Sequence, residues 1–313
     1  MADLISVCIP AHNVEEYISE TINSLLVQEG VDFEVIIVDD GSTDATFAQL
    51  NKVDDPRFRW YRQKRSGAAA ARNHAWSQAV GNYIVFLDAD DLLSPGFLSA
   101  QLQRASAEED SVTVSAWGRF HGSDREGFQR DPLIIAKDMS FREWVVNYWT
   151  RCGHMTPPGR VMFARSVMER AGPWNEDLSL NDDFEFFTRI FLNSAKIRYN
   201  PDAIFYYRSG IGGLSTMKSD RALRSYFDSV EIATRLVLQR FPDDDEVAHA
   251  CANIWQMFVY ETYPRQRPLC EKAKEKIAAL GGSDIDFPAG GISRIMSRIV
   301  GWKLTKQVKR LKP

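Results

Sequence analysis

The chain has 313 residues, a formal charge of −4 and an apolar share of 44%, the profile of a folded protein with one large domain or two smaller ones. A disordered chain or a nucleic-acid binder would show a different balance, so no nucleic-acid partner is expected. No apolar run approaches the roughly 18 residues of a membrane-spanning helix, and the start MADLISVCIPAHN lacks the basic region, apolar core and cleavage site of a secretion signal.

In chain order, LISVCIP and FEVIIVDD read as strands. Between them, NVEEYISETINSLLVQEG repeats apolar residues at helical spacing. STDATFAQLNKV opens with cap-forming residues and reads as a helix, RFRWYRQ as a short strand, GAAAARNHAWSQAVG as an Ala-rich helix stopped by Gly81, and YIVFLDADD as a strand. This alternation predicts an α/β fold, a mostly parallel sheet with helices on both faces. Ligands in such sheets sit beyond the carboxyl ends of the strands. The clusters at Pro10, at Asp39 and Asp40, and at Asp88 to Asp91 all fall at strand ends, and are expected to converge on one edge.

After Leu98 the pattern is less regular. SVTVSAWGRF reads as a strand, SFREWVVNYWTR as an amphipathic aromatic helix, and RVMFARSVMERAG as a strand running into a helix. LNDDFEFFTRIFLNSA is a helix with its acids at the start, and KIRYNPDAIFYYRSG a strand or hairpin before the Gly-rich loop IGGLST. From about Lys218 to Leu280 the chain reads as helix, and GGSDIDFPAGG as a hinge. Cys8, Cys152, Cys251 and Cys270 have no C-x-x-C spacing, which argues against zinc and redox chemistry and fits reduced thiols in a cytoplasm.

IVFLDADDLLSP sets three acids behind an apolar run, and carboxylates beside a buried strand need compensation. A lone D-x-D is more often a solvated strand end with a helix cap. An EF-hand loop fails, because Leu92 and Leu93 stand where a ligand and a Gly are required. Asp88 also matches the aspartyl nucleophile of haloacid-dehalogenase-like phosphatases, although a whole βαβ unit precedes it and that motif normally lies on the first strand. As a third reading, Asp88 and Asp90 are hard oxygen ligands for Mg²⁺ or Mn²⁺ carrying a substrate diphosphate.

Four blocks in order, SVCIPAHNVEEYISETINSLLVQ, FEVIIVDDGSTDAT, SGAAAARNHAWSQAVGNYIVFLDADDLLSP and GPWNEDLSLNDDFEFFTRI, resemble family 2 glycosyltransferases of the GT-A fold over residues 4 to about 215. The resemblance implies inverting transfer of a sugar from a nucleotide diphosphate, usually UDP, with a divalent metal, Mn²⁺ or Mg²⁺. It implies that Pro10 and Ala11 present backbone to the base and ribose, and that Asp40, with Asp39, accepts from uracil N–H or ribose hydroxyls. His12 stands where the family usually has Tyr, and Arg65 where its N-x-G-x-x-x-A-R-N pattern has Asn. Arg72 is carried over as a cation near the nucleotide, with a salt bridge to Asp88 or Asp40 and direct phosphate contact both open.

By the same resemblance Asp90 is a metal ligand, Asp88 is shared between metal and ribose, and Asp91 supports them or caps the next helix. Asp182 and Asp183 occupy the family's E-D pair. Asp183 is the expected base that takes the acceptor hydroxyl's proton, its pKa raised by Phe184, Phe186 and Trp174, while Asp182 also suits a helix start. Asp182, Glu176, Glu185 and Trp174 are candidates for contact with sugar or acceptor, an aromatic at such a place being more often packing. Arg208 is expected to clamp the diphosphate ahead of the Gly-rich loop. His154 lies in the expected acceptor region, and a lone His is usually structural.

The stretch from Ala289 holds seven Lys or Arg and no acid, leaving −11 on the preceding residues. Ile292, Ile295, Met296 and Ile299, continued by Val300, Leu304, Val308 and Leu311, form a helical stripe with a basic opposite face, as in helices that lie on anionic membranes. The expected organisation is a nucleotide-sugar half (1–98), an acceptor half (99–217), a helical region (218–288) and a basic tail (289–313). The expected acceptor is a saccharide or lipid-linked saccharide of bacterial-type surface polymers, handled in the cytoplasm, with peripheral contact to the membrane face. A phosphatase working through Asp88 and a non-catalytic sugar-nucleotide-binding module are the alternatives.

Overall fold

The computed structural model describes residues 3–108, 110–122, 124–153, 155–211, 219–289 and 299–311. His154, most of the IGGLST loop, and Ile292, Ile295 and Met296 of the tail lie outside the described residues. The chain forms two compact units: Met1–Glu143 with Met155–Thr216, and Trp144–His154 with Met217–Pro313. The aromatic segment expected inside the acceptor half is thus divided, its part from Trp144 onward belonging to the second unit.

The first unit is built on one nine-stranded sheet. Its strands are β1 (Leu4–Ala11), β2 (Asp32–Asp40), β3 (Phe58–Gln63), β4 (Tyr83–Phe86), β5 (Leu92–Leu93), β6 (Val112–His121), β7 (Asp124–Arg130), β8 (Val161–Ala164) and β9 (Ile197–Ser209). The order is β3-β2-β1-β4-β8-β6-β9-β5, with β7 paired to β6. Strands β3, β2, β1 and β4 are parallel; β8 runs against both β4 and β6, and β9 lies parallel to β6. The carboxyl ends of β1, β2, β4, β6 and β9 therefore face one edge.

The Val and Ile runs of β1 and β2 are buried on both faces, as expected for strands covered by helices on two sides. Helix α1 (Ile18–Leu26) lays Ile18, Thr21, Ile22 and Leu25 on one face, and α2 (Thr46–Leu50) follows β2. Helix α3 (Ala68–Gln78) buries Ala69, Ala71, Arg72 and Ala75 and ends at Gln78, before Gly81. The next helices are α4 (Phe97–Ala105), the short α5 (Phe141–Trp144), α6 (Arg165–Ala171) and α7 (Asp182–Leu192). KIRYNPDAIFYYRSG is one long strand rather than a hairpin, with a register shift opposite Ser115 and Ala116. Phe86, Phe163, Trp174, Phe186 and Phe187 form an aromatic core at the base of α7.

The second unit is helical: a π-helical turn at Val145–Trp149, then α8 (Asp220–Arg240), α9 (Asp245–Thr262), α10 (Arg267–Ala279) and α11 (Trp302–Leu311). Ser219 and Asp244 cap α8 and α9 through side-chain oxygens. Tyr226, Phe227, Trp255 and Phe258 interlock between α8 and α9. The tail tryptophan does not face outward: Trp302 packs on Tyr260, Tyr263 and Phe287 at 4.9, 5.2 and 5.9 Å. Lys306 donates to the carbonyls of Tyr260 and Glu261 at the end of α9, where a cation suits the helix dipole. Ile299, Val300 and Leu304 remain exposed.

Candidate active site

The carboxyl ends of β1 and β2 are stitched together by their following turns. Asn13 N–H donates to Ser42 Oγ (3.0 Å), Val14 N–H to Thr46 Oγ1 (2.8 Å), and Thr43 N–H to Asn13 Oδ1 (2.8 Å). Gly41 has φ +69°, and a Cβ there would meet the Arg65 nitrogen at 2.9 Å, so the turn after the two acids requires glycine. Pro10 and Ala11 pair with Val38 and Asp39 at the sheet edge, Ala11 being buried. His12, in the place of the usual Tyr, sets Nδ1 2.9 Å from the Asp40 carbonyl.

The two acids of VDD part company. Asp40 is buried, and its carboxylate is occupied by the chain itself: Oδ1 accepts from Gln63 Nε2 (2.8 Å) and Ser66 N–H (2.7 Å), and Oδ2 from Gly67 N–H (2.8 Å). Gly67, with φ +103°, opens α3. Asp40 thus anchors the start of α3 at the edge where the nucleotide was expected. Asp39 accepts from Ser42 N–H at 3.1 Å through Oδ1. Its Oδ2 has no hydrogen-bond partner, with Arg62 Nε at 3.0 Å as its ionic neighbour. Asp39 is fully buried and paired with Arg62, whereas Asp40 is held by main-chain donors.

The loop after β4 is pinned at both ends, by Leu87 N–H on the Cys8 carbonyl (3.0 Å) and by Thr21 Oγ1 on the Ala89 carbonyl (2.9 Å). Asp88 is partly open, 27% exposed at its side chain, and Asp91 is buried. Burial, together with Asp88 beside it, pushes the Asp90 carboxyl up to about 6. Asp91 is raised well above the usual range by burial and by Asp90 and Asp88. Its Oδ1 accepts from Arg208 N–H at 2.7 Å, and its Oδ2 has no partner. Such a crowd of carboxylates is a site short of positive charge. Asp88 and Asp90 supply two hard oxygen donors, and among the described residues the one hydrogen bond to the Asp88 carboxylate falls on Oδ1. Among the described residues no group of three or more His, Cys, Asp or Glu forms a ready cage, so any ion here would draw its other ligands from elsewhere. This donor set fits Mg²⁺ or Mn²⁺ shared with a diphosphate.

Arg72 joins this loop to α7. Its buried guanidinium gives Nη2 to Asp88 Oδ1 (2.8 Å) and Nη1 to Asp182 Oδ2 (2.9 Å), and lies 4.3 Å from the centre of the Trp174 ring. Burial alone would lower its pKa, but Asp88 and Asp182 hold it above the usual value. Of the openings the sequence left for Arg72, the structure takes the salt bridge, with Asp182 as a second acid that spacing did not reveal. Asn73 beside it gives Nδ2 to the Trp174 carbonyl (2.9 Å) and to Glu176 Oε1 (2.8 Å). No separate signal marked Asn73 beyond its place in ARN. The two residues fix the segment leading into α7.

Asp182 and Asp183 open α7 behind Asn181, which has φ +64°. Both are half-buried. Burial raises Asp182, offset in part by Arg72. Burial and the adjacent Asp182 push Asp183 up to about 7, the range in which a carboxylate works as a base near neutral pH. Glu176 is exposed beside this group, held by Asn73.

Three expected contacts are corrected by packing. Trp174 is 2% exposed and stacks on Phe186 at 3.8 Å, with Phe86 edge-on at 5.3 Å, so its indole is core and no sugar face can lie on it. Glu185 is buried in an ion pair with Arg189 at 2.6 Å. Arg208 has a fully buried side chain committed to Glu20 (3.0 Å), to the Asp90 carbonyl (2.7 Å) and to the Gly122 carbonyl, leaving it no open face for a diphosphate.

A mostly parallel sheet with paired acids at its carboxyl edge, facing a second acid pair at a helix start, defines a GT-A-type transferase scaffold. Residues 6–169 match the family described as Glycosyl transferase family 2, and the chain belongs to that family. It is 43% identical over 152 residues to the putative teichuronic acid biosynthesis glycosyltransferase TuaG of Bacillus subtilis, covering 47% of this chain and 60% of that relative. It is 29% identical over 225 residues to the uncharacterized glycosyltransferase EpsJ of Bacillus subtilis, covering 69% of this chain and 64% of the relative. The succinoglycan biosynthesis protein ExoO of Rhizobium meliloti is 28% identical over 242 residues, with 75% and 68% covered. The matched stretches of TuaG and EpsJ are thus about three fifths of each relative's length. The crystal structure of S. aureus TarS in complex with UDP-GlcNAc superposes with a TM-score of 0.71 at 19% identity, over 98% of this chain and 91% of that one, which establishes the shared fold. Family membership removes the phosphatase alternative.

Proposed function

We propose that this chain transfers a sugar from a UDP-sugar to a hydroxyl of a saccharide or lipid-linked saccharide, with inversion at the anomeric carbon. The observation that carries the reading is the Arg72 bridge, which holds the loop of Asp88 and Asp90 against the helix start bearing Asp182 and Asp183. Asp39, Asp40 and the backbone of Pro10 and Ala11 form the nucleotide end, where carboxylates beside main-chain groups suit the donors and acceptors of a base. Asp88 and Asp90 would hold Mn²⁺ or Mg²⁺, which when bound supplies electrostatic stabilisation of the diphosphate leaving group. Asp183 takes the proton from the acceptor hydroxyl as the new glycosidic bond forms. Asp182, fixed by Arg72, keeps Asp183 oriented, and Glu176 lies where a sugar hydroxyl would be met. The TarS complex with UDP-GlcNAc supports the choice of UDP, and relatives named for teichuronic acid and succinoglycan biosynthesis support a polysaccharide setting.

Calorimetry with UDP tests the donor half of this reading. Binding should tighten when Mn²⁺ is added, and Asp90→Asn should lose about tenfold or more of that gain while binding in EDTA is unchanged. Equal affinity with and without Mn²⁺ would contradict it.

No helix among the described residues is long and apolar enough to cross a membrane. The same proposal places the enzyme on the cytoplasmic face of an anionic membrane, near lipid-linked acceptors. Exposed Ile299, Val300 and Leu304 beside a tail rich in Lys and Arg support this. Ile299→Ser with Leu304→Ser should reduce partitioning onto anionic vesicles at low salt, and unchanged partitioning would remove the membrane from the account.

A further inference from the structure

Arg208 is the most heavily committed side chain at the edge of the sheet, and neither the nucleotide nor the base has been given to it. Its guanidinium is wholly enclosed: Nε donates to the Asp90 carbonyl at 2.7 Å, Nη2 to Glu20 Oε2 at 3.0 Å, and Nη1 to the Gly122 carbonyl. Aromatic rings lie beside it, Phe120 at 4.6 Å and Tyr17 at 4.9 Å. Its main-chain N–H donates to Asp91 Oδ1 at 2.7 Å. One residue thus holds the Asp90 main-chain carbonyl and the Asp91 carboxylate together. The grip continues a zipper, since β5 pairs with β9 through Leu92 with Tyr206 and Leu93 with Phe205. Ser94 closes it, donating N–H to the Ile204 carbonyl (3.0 Å) and accepting the Ile204 N–H on Oγ (3.1 Å).

We infer that Arg208 is a positioning residue for the cation-binding turn: it touches neither donor nor acceptor, and sets the direction in which Asp90 offers its carboxylate. The inference rests on the proposed UDP and metal reading of the same site. An exposed arginine at the end of β9 would be free to meet phosphate. This one is enclosed, and its bonds go to the main chain of Asp90 and to the neighbouring acid Asp91. Groups that orient a ligand in this way typically govern metal affinity by about ten- to a hundredfold. Lysine cannot replace it, because a single ammonium lacks the planar fork that reaches the Asp90 carbonyl and Glu20 together. Glu20→Gln keeps the shape of the cage and removes only its counter-charge.

The test is calorimetric titration of the wild type, Arg208→Lys and Glu20→Gln with UDP, in EDTA and in saturating Mn²⁺, with thermal melts recorded for each. All three proteins should bind UDP in EDTA with affinities within about twofold. The gain on adding Mn²⁺ should fall by about tenfold or more in Arg208→Lys and by a smaller factor in Glu20→Gln. If Arg208→Lys loses about tenfold in EDTA, the arginine is a direct diphosphate ligand and the inference is wrong; it is equally wrong if the variant keeps the full Mn²⁺ gain. Should Arg208→Lys fail to melt cooperatively, Glu20→Gln decides by the same two criteria. A wild type with no Mn²⁺ gain overturns the metal reading itself, and is told apart because the failure then precedes any substitution.

Discussion

Asp183→Asn should leave UDP binding intact and lower kcat by about a hundred- to ten-thousandfold, the range a positioned general base contributes. The wild type should also carry a pH signature. Asp183 is pushed up to about 7 by burial and by Asp182, and only its ionised form accepts a proton. Activity therefore rises with pH through about 7, and the residual activity of Asp183→Asn lacks that limb. The stability linkage has a definite sign. A carboxyl whose folded pKa stands above its unfolded value of about 3.9 favours the fold in its neutral form. That contribution is complete below about 4 and is lost as pH rises through about 7. Asp183→Asn, neutral throughout, should therefore melt higher than the wild type at pH 8 while being nearly inactive. Wild-type turnover in the variant would remove Asp183 from the chemistry.

Arg72→Ala is expected to be the most damaging single change at the site for stability. Asp88 and Asp182 are mostly buried, with 27% and 13% of their side chains exposed. Removing the shared cation leaves two carboxylates facing the same gap. Loss of one partner of a buried ion pair costs about 3 to 5 kcal/mol, which denaturant unfolding would read directly. The indole of Trp174 loses its cationic neighbour as well. Arg72→Lys separates charge from geometry: an ammonium restores the positive charge but cannot give one nitrogen to each acid through a planar fork. It should regain most of the stability and little of the turnover. Full recovery of kcat in Arg72→Lys would mean that charge alone suffices and that the bridge does not orient α7.

Much of the fold was legible because its signals were local. Apolar runs such as LISVCIP and FEVIIVDD read as strands without reference to anything else, and the acids at their ends marked one edge of the sheet. The D-x-D and NDD acids were found in the same way. What the sequence concealed was partnership over long separations. Asp39 and Asp40 look equivalent in VDD, yet the loop 63–67 hydrogen-bonds Asp40 while Asp39 is paired with Arg62. Arg208 reads as an exposed cation before a Gly-rich loop, but Glu20, 188 positions away, encloses it. Trp174 reads as core more often than as a sugar platform, and the Phe186 ring at 3.8 Å decides for core. In the tail, apolar periodicity gave Trp302 no partner, and the ring packs against the end of α9. Periodicity says that a face is apolar and leaves open what covers it.

The central claim, inverting transfer from a UDP-sugar, is tested most directly by the anomeric configuration of the product. A panel of α-linked UDP-sugars turned over with Mn²⁺, on a saccharide acceptor or on water, can be followed by proton NMR from the first minutes. The first-formed product should carry the β configuration, with UDP released in equal amount. A first-formed α product, or no UDP release from any member of the panel, would contradict the account.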